Sequence, residues 1–309
     1  MAINLPSAQD IIPYFDVGDI ASWVVEFLRT NIEPFFDFVS IIIHFVIGNL
    51  TDFFNWIPVW LVFIILALLA IWRVGWQFTL FVVISFLVII DMHLWGQTMD
   101  TLALVIGATV VALGVGLPLG VAMAKSDITA AIVRPILDFM QTLPAFVYLI
   151  PAAMFFGLGP VPGTIATVIF SMPPAVRLMN LGIRQVNEEN VEAGRAFGCN
   201  PLQLLYKVQL PLAMPSIMAG INQTIMLSLS MVVIASMIGA GGLGDTVLTG
   251  IQRLNVGLGF EGGLGVVIIA ILLDRITQSF GFGNRSSKSP LARLKELFSG
   301  QGNRVRKSA

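Results

Sequence analysis

The chain has 309 residues, of which 56% are hydrophobic and only 11% are charged. Soluble domains carry roughly 25% charged residues, so this composition places most of the chain in lipid. With no soluble domain of any size, the chain is not expected to hydrolyse a nucleotide by itself. A single cysteine, Cys199, excludes an intrachain disulfide. We expect no nucleic-acid partner and no metal site.

Charges are unevenly distributed along the chain. Before Trp72 there are seven acidic residues and one basic residue, Arg29. After Asp274 there are eight basic residues and one acidic residue, Glu296. Because Lys and Arg accumulate on the cytoplasmic side of membrane proteins, the N-terminus is predicted outside and the C-terminus inside.

Residues 1–55 are predicted to form an acidic tail followed by one or two amphipathic helices in the outer membrane interface. Trp23 and Phe27 recur at helical spacing, with Glu26 between them. The stretch Phe35–Leu50 is more apolar than the segment before it. A true membrane span in this stretch is therefore the alternative.

Residues 56–282 are predicted to form an all-α membrane domain, with residues 283–309 as a basic cytosolic tail. A hydrocarbon core of about 30 Å needs roughly 20 helical residues. The amphipathic segment Lys125–Thr142 is interpreted as an internal connection, and the glycine-rich segment Gly239–Gly263 as external. Seven apolar segments remain as predicted spans: Pro58–Trp72, Val74–Ile90, Thr101–Ala124, Leu143–Leu158, Thr164–Val176, Ser216–Ile238 and Leu264–Phe280.

Neutral polar residues, rather than charges, mark the interior of the predicted spans. The span centres contain no Asp, Glu, Lys, Arg or His, which argues against a proton-coupled carrier. The candidate residues of a translocation path are Asn222, Gln223, Met226 and Ser230, three of which follow one another at four-residue steps. This face either packs by interhelical hydrogen bonds or lines a water-accessible path.

The polar stretch Val186–Pro215 lies between two of the predicted spans. It is predicted to form two short helices that protrude into the cytosol and are joined at Gly198, which suits the left-handed position that ends the first helix. Asn200 and Gln203 have the spacing of a capping box at the start of the second helix. The other helix ends are marked by a capping residue and by two prolines: Asn187, Pro211 and Pro215.

The segment Gly239–Gly244 matches the pattern G-x-G-x-x-G. A dinucleotide site would need a strand before it and a helix after it, and here the pattern follows a membrane span. We interpret it as a hinge or a helix break. Because no phosphate-binding P-loop pattern is present either, we expect this chain to bind no cofactor.

The stretch between the two spans resembles the EAA signature of bacterial ABC importer permeases. That signature reads E-A-A, three residues, G, nine residues, I-x-L-P. Five residues stand at its matching places with the matching spacing: Glu192, Ala193, Gly198, Leu210 and Pro211. Gly194 replaces the third-position Ala, and Val208 replaces the Ile.

Three further segments resemble the branch of that family that takes up glycine betaine and proline betaine. They are Gln141–Phe146, Pro173–Arg177 and Leu210–Gly244, and the resemblance covers roughly Trp56 to Phe280. The resemblance implies a type I ABC importer permease fold in the bacterial cytoplasmic (inner) membrane. It also implies transport of a compatible solute in osmoprotection.

The resemblance further implies the partners of the chain. Two copies of a cytosolic subunit would bind ATP and Mg, and an external binding protein would deliver the solute to this chain and its second copy. The residues expected to dock on the ATP-binding subunit are Glu192, Ala193, Gly194, Gly198, Leu210 and Pro211. The alternatives are a permease for choline, carnitine or another amino acid, and, from a different class, a secondary carrier or a channel.

Overall fold

The computed structural model describes residues 17–281, which form helices and turns without a strand in that range. The predictions for the acidic residues 1–16 and the basic tail 283–309 lie outside the described residues. In chain order the helices are α1 (Val17–Asn31), α2 (Glu33–Trp56), α3 (Val59–Arg73), α4 (Trp76–Asp91), α5 (Trp95–Lys125), α6 (Asp127–Thr142), α7 (Leu149–Phe156), α8 (Pro160–Arg184), α9 (Glu188–Ala196), α10 (Pro201–Leu204), α11 (Leu210–Ala235), α12 (Leu243–Gln252) and α13 (Val256–Gly281).

Helices α5, α8 and α11 form the centre of the bundle, and glycines let their backbones come close. A Cβ atom on Gly120 of α5 would lie 2.6 Å from Met179 Cβ and 2.7 Å from the Val176 carbonyl oxygen of α8. A Cβ atom on Gly220 of α11 would lie 3.3 Å from the Pro174 carbonyl oxygen of the same helix α8. Small residues at such crossings are the usual means of close packing between membrane helices.

The two ends of this bundle differ. The end that carries the turns Gly157–Gly159 and Gly239–Gly242 is called the glycine-turn end, and the end that carries α9 and α10 is called the loop end. At the glycine-turn end the Leu243 N–H donates to Thr101 Oγ1 at 2.8 Å. The segment expected to be external, residues 239–263, contains α12 and the start of α13, and its external location stays a prediction.

Within residues 17–281, five helices are long and apolar enough to cross a membrane: α2, α5, α8, the continuous helical segment Pro201–Ile238, and α13. Helices α3 and α4 have only 15 and 16 residues. The predicted span Leu143–Leu158 is replaced by a four-residue 3-10 turn and the eight-residue α7, well short of the roughly 20 residues a span needs. Helices α6 and α7 meet at 107°, and together they give a sixth span at most.

Helix α2 has the composition of a span, but its contacts run across the glycine-turn end. Near its start Phe36 stacks on Phe155 of α7, with ring centroids 4.4 Å apart. Near its end the Asn55 side chain donates to Asp100 Oδ1 of α5 at 3.1 Å. These two positions are about 28 Å apart along the helix, while both partners lie near the same end of the bundle. The contacts therefore support an interfacial helix rather than a span.

Helix α1 is amphipathic, as the sequence predicts. Its apolar side chains are exposed at helical spacing, and the Trp23 and Phe27 rings stack with centroids 5.5 Å apart. Asp19 and Arg29 lie at its two ends. An exposed apolar stripe that contains Trp is typical of helices that lie in a membrane interface.

Candidate functional site

The first helix of the loop end is α9, and the chain leaves it through a tight backbone turn. Gly198 has a φ of +78°, and its N–H donates to the Arg195 carbonyl at 2.9 Å. The Cys199 N–H donates to the Gly194 carbonyl at 3.1 Å. These two bonds constitute a Schellman motif, so the predicted left-handed glycine is confirmed. Asn187 stands at the cap position of α9, but its side chain makes no capping hydrogen bond.

The second helix starts with the capping box that the sequence predicts. Asn200 Oδ1 accepts from the Gln203 N–H at 2.8 Å, and the Asn200 N–H donates to Gln203 Oε1 at 3.0 Å. The prediction that this helix ends at Pro211 and Pro215 is wrong. The chain stays helical from α10 into α11.

A π turn at Leu205–Gln209 joins α10 to α11. Its last bond runs from the Leu210 N–H to the Leu205 carbonyl. Pro211 has no N–H, and its ring would clash with the carbonyl four residues earlier in an α-helix. The wider π turn accommodates this proline without ending the helix.

Gly194 lies between the two helices of the loop rather than on its surface. It is buried, and a Cβ atom there would lie 2.7 Å from Leu204 Cδ1 and 3.3 Å from Val208 Cγ2. The first and second helices therefore touch through Gly194. Ala193, one residue earlier, is exposed.

Glu192 borders a cavity of about 270 Å³ between the loop and the ends of α5 and α8. The same cavity is lined by charged and amide side chains of four elements, namely Lys125, Arg184, Glu188, Arg195 and Gln209. The Glu192 carboxylate thus lies on the side of α9 that faces the bundle. The residues on the opposite side of the loop face away from the protein.

That outward side carries large apolar side chains that sequence reasoning missed. Phe197 is 89% exposed, and Leu202 and Tyr206 are 67% and 66% exposed. Large apolar residues concentrated on an otherwise polar protrusion indicate a contact surface. Their position within a polar stretch was the signal in the sequence. We call Phe197, Leu202 and Tyr206 the apolar tip.

The candidate path residues are divided between two faces of α11. Asn222 Nδ2 donates to Asp274 Oδ1 at 2.9 Å, and Thr277 Oγ1 donates to Asn222 Oδ1 at 2.9 Å. Asn222 therefore packs α11 against α13 by interhelical hydrogen bonds, which is one of the two predicted alternatives. A neighbouring face of α11 exposes the other three candidates: Gln223, Met226 and Ser230.

These features define a class of protein. Membrane-length helices together with a protruding helix pair that exposes an apolar tip indicate an integral membrane protein with a contact surface for a partner. Within residues 17–281, no three His, Cys, Asp or Glu side chains are grouped so that they could hold a metal ion.

Comparison with known proteins gives the family. Residues 116–281 match the family described as "Binding-protein-dependent transport system inner membrane component". The chain is 56% identical over 269 residues to the glycine betaine/proline betaine transport system permease protein ProW of Salmonella typhimurium, covering 86% of this chain and 76% of that relative. It is 44% identical over 278 residues to the glycine betaine transport system permease protein OpuAB of Bacillus subtilis, covering 90% and 99%. The chain belongs to this family of inner-membrane ABC permeases, as the sequence resemblance indicates.

The fold is similar to that of a solved transporter. An inward-facing structure of the MetNI methionine ABC transporter matches with a TM-score of 0.55 and 21% identity, over 61% of this chain and 94% of that chain. The predicted type I ABC importer permease fold is confirmed. The number of spans and their N-out, C-in orientation stay predictions.

Proposed function

We propose that this chain is the membrane subunit of an ATP-driven importer for glycine betaine, proline betaine or a related compatible solute. The relatives are betaine transport permeases, and the family consists of binding-protein-dependent transport components, which supports this assignment. An external binding protein delivers the solute. ATP and Mg bind to two copies of a cytosolic subunit, and a second copy of this chain completes the membrane part.

The helix pair at the loop end carries this proposal. A short helix pair whose junction is fixed by a Schellman motif and a capping box moves as a rigid body, which suits a contact that must transmit displacement from another subunit. The apolar tip supplies the large, exposed side chains that dominate the energy of protein contacts. The ATP-binding subunit would bind around Phe197 and Ala193, with Leu202 and Tyr206 beside them.

The residues that were expected to dock on the ATP-binding subunit then have different roles. Ala193 belongs to the contact surface, while Gly194 and Gly198 set the shape of the helix pair. Leu210 and Pro211 join that pair to α11 through the π turn. Glu192 faces the cavity behind α9, so it would act on the orientation of the loop rather than as the main contact.

The exposed face of α11 supports a translocation path between two copies of the chain. Gln223, Met226 and Ser230 present an amide, a thioether and a hydroxyl group, without a formal charge. Betaines are zwitterions, and a neutral polar surface can hydrate such a molecule without trapping it by ion pairing. Transport requires binding weak enough for the solute to leave.

Reconstitution tests the proposed function directly. The chain would be placed in vesicles with its ATP-binding subunit and binding protein, and uptake of radiolabelled glycine betaine, proline and choline would be measured. ATP-dependent uptake of glycine betaine is expected. ATP-independent uptake by this chain alone would indicate a secondary carrier or a channel and overturn the proposal.

A variant of the apolar tip tests the docking surface. Phe197→Asp is expected to abolish co-purification of the ATP-binding subunit, because a buried, unpaired charge at an interface costs several kcal/mol. Leu254→Asp is the matched control, since Leu254 is also 89% exposed but follows α12 near the other end of the bundle. Equal co-purification of the two variants would contradict the proposed docking surface.

A further inference from the structure

Arg184 joins the start of the loop to the junction between α5 and α6. It is the last residue of α8. Its Nη2 atom donates to the Met123 carbonyl oxygen at 2.7 Å and to Asp127 Oδ1 at 2.7 Å. Its Nε atom donates to Asn180 Oδ1 at 3.0 Å. One guanidinium group thus connects α8, α5 and α6.

Lys125 joins the other end of the loop to the same junction. It is the last residue of α5, and its Nζ atom donates to Gln209 Oε1 at 2.9 Å. Gln209 is the last residue of the π turn that follows α10. Both ends of the loop are therefore attached to neighbouring residues, Lys125 and Asp127, although they are far apart in sequence.

Between these two attachments the loop stands away from the bundle. The cavity that Glu192 borders separates α9 from the ends of α5 and α8. The contacts of Arg184 and Lys125 hence lie at the two edges of a gap. A displacement of α9 would reach α5 through these two polar side chains and through the apolar cluster in which Leu205 of the loop packs with Ile183.

Helix α6 is attached to α8 at a second point as well. Arg177 of α8 pairs with Asp138 of α6, while Arg184 pairs with Asp127 at the other end of α6. The two arginines are seven residues apart, which places them about two turns apart on one side of α8. These two ion pairs fix the position of both ends of α6 relative to α8.

We propose that Arg184 and Lys125 are positioning residues that transmit movement of the loop to α5 and α6. This inference rests on the proposed function, in which the ATP-binding subunit moves the loop. Without the two contacts, only apolar packing would join the loop to α5, and apolar packing allows sliding, so less of the loop's movement would reach α5 and α6. ATP would still be hydrolysed, but the hydrolysis would no longer drive the solute across.

The chemistry of Arg184 suits this task. Its three acceptors lie on different elements, and a planar guanidinium group can donate to all of them in a fixed geometry. A lysine at this position would keep the charge but not the geometry. Arg184→Lys should therefore retain only part of the function.

The test measures coupling in the full, reconstituted complex. For Arg184→Gln, co-purification of the ATP-binding subunit and ATP hydrolysis are expected to persist, while solute uptake falls about tenfold. The number of ATP molecules hydrolysed per solute transported should rise by the same factor. Arg184→Lys should give a ratio between that of Arg184→Gln and that of the unaltered chain. Lys125→Met should change the ratio in the same direction.

Arg134→Gln is the matched control. Arg134 is exposed on α6 and makes no hydrogen bond or ion pair to a described residue, so its loss should leave the ratio unchanged. An unchanged ratio in Arg184→Gln, or hydrolysis and uptake that fall together, would overturn the inference. Failure of the ATP-binding subunit to co-purify with the unaltered chain would instead overturn the proposed function.

Discussion

Two glycines of the loop end are constrained in different ways. At Gly194 a Cβ atom would lie 2.7 Å from Leu204 Cδ1, so the constraint is packing, and a side chain there requires Leu204 to shift. At Gly198 a Cβ atom would meet nothing within 4 Å, so the constraint is the positive φ of the backbone alone. The backbone constraint at Gly198 can therefore be tested by comparing a residue that adopts the left-handed conformation readily with one that does not.

Gly198→Val should lower transport-coupled ATP hydrolysis while the protein still inserts into the membrane. A β-branched residue in the left-handed region costs roughly 1–3 kcal/mol, enough to shift the loop out of its Schellman turn. Gly198→Asn is the control, because Asn adopts that region more readily than other residues with a side chain. Coupled hydrolysis would be measured for both, and equal values for Val and Asn would refute the backbone explanation.

At the residue scale, local rules predict the loop well and long-range contacts poorly. The capping box at Asn200 and the left-handed Gly198 depend on neighbours within a few residues, and both are confirmed. The side of α9 that Glu192 occupies depends on the ends of α5 and α8, and Lys125 is more than sixty positions away. No periodicity within α9 itself contains that information.

At the element scale, the sequence predicts helix ends at Pro211 and Pro215, whereas the structure continues the helix through both prolines. Pro118, Pro173, Pro174 and Pro215 all lie inside helices of the bundle. In a membrane, neighbouring helices and local changes of hydrogen bonding compensate for the missing donor. Proline therefore marks a helix end less reliably here than in a soluble protein.

Pro211→Ala should reduce transport without destabilising the protein. The new N–H and the removal of the ring allow the π turn to close as an ordinary α-helix, which would rotate the loop relative to α11 by about 100°. Uptake is expected to fall, whereas the thermal unfolding temperature should stay the same or rise, because proline inside a helix costs about 3 kcal/mol.

Pro215→Ala provides the comparison for that substitution. Pro215 also lies inside the helical segment, but no π turn precedes it directly. It should therefore leave uptake close to that of the unaltered chain. Full uptake by Pro211→Ala would show that the π turn does not set the orientation of the loop.

At the scale of the whole molecule, the length of an apolar helix indicates that it lies in a membrane. It does not show whether the helix crosses the membrane or lies along its surface. Helix α2 has 24 residues and is long and apolar enough to cross a membrane. Its contacts with Phe155 and Asp100 nevertheless run across one end of the bundle. The packing of α2 depends on residues more than forty positions away, so the sequence left both arrangements open.

The exposed face of α11 gives the last prediction, which concerns the assembly. In a Cys199→Ser background, a cysteine at Ser230 is expected to react with a hydrophilic thiol reagent at least about tenfold faster than one at Val110. Both positions are exposed in the single chain. Ser230, however, would face water between two copies, whereas Val110 would face lipid, where the reactive thiolate does not form.

The transported solute sharpens this measurement. Because Ser230 would line the path that the solute follows, glycine betaine should slow labelling at Ser230→Cys in the assembled transporter and leave Val110→Cys unaffected. Met226→Cys, one turn away on the same face of α11, should behave like Ser230→Cys. Labelling of Ser230→Cys as slow as that of Val110→Cys would place this face of α11 in lipid and remove Gln223, Met226 and Ser230 from the path.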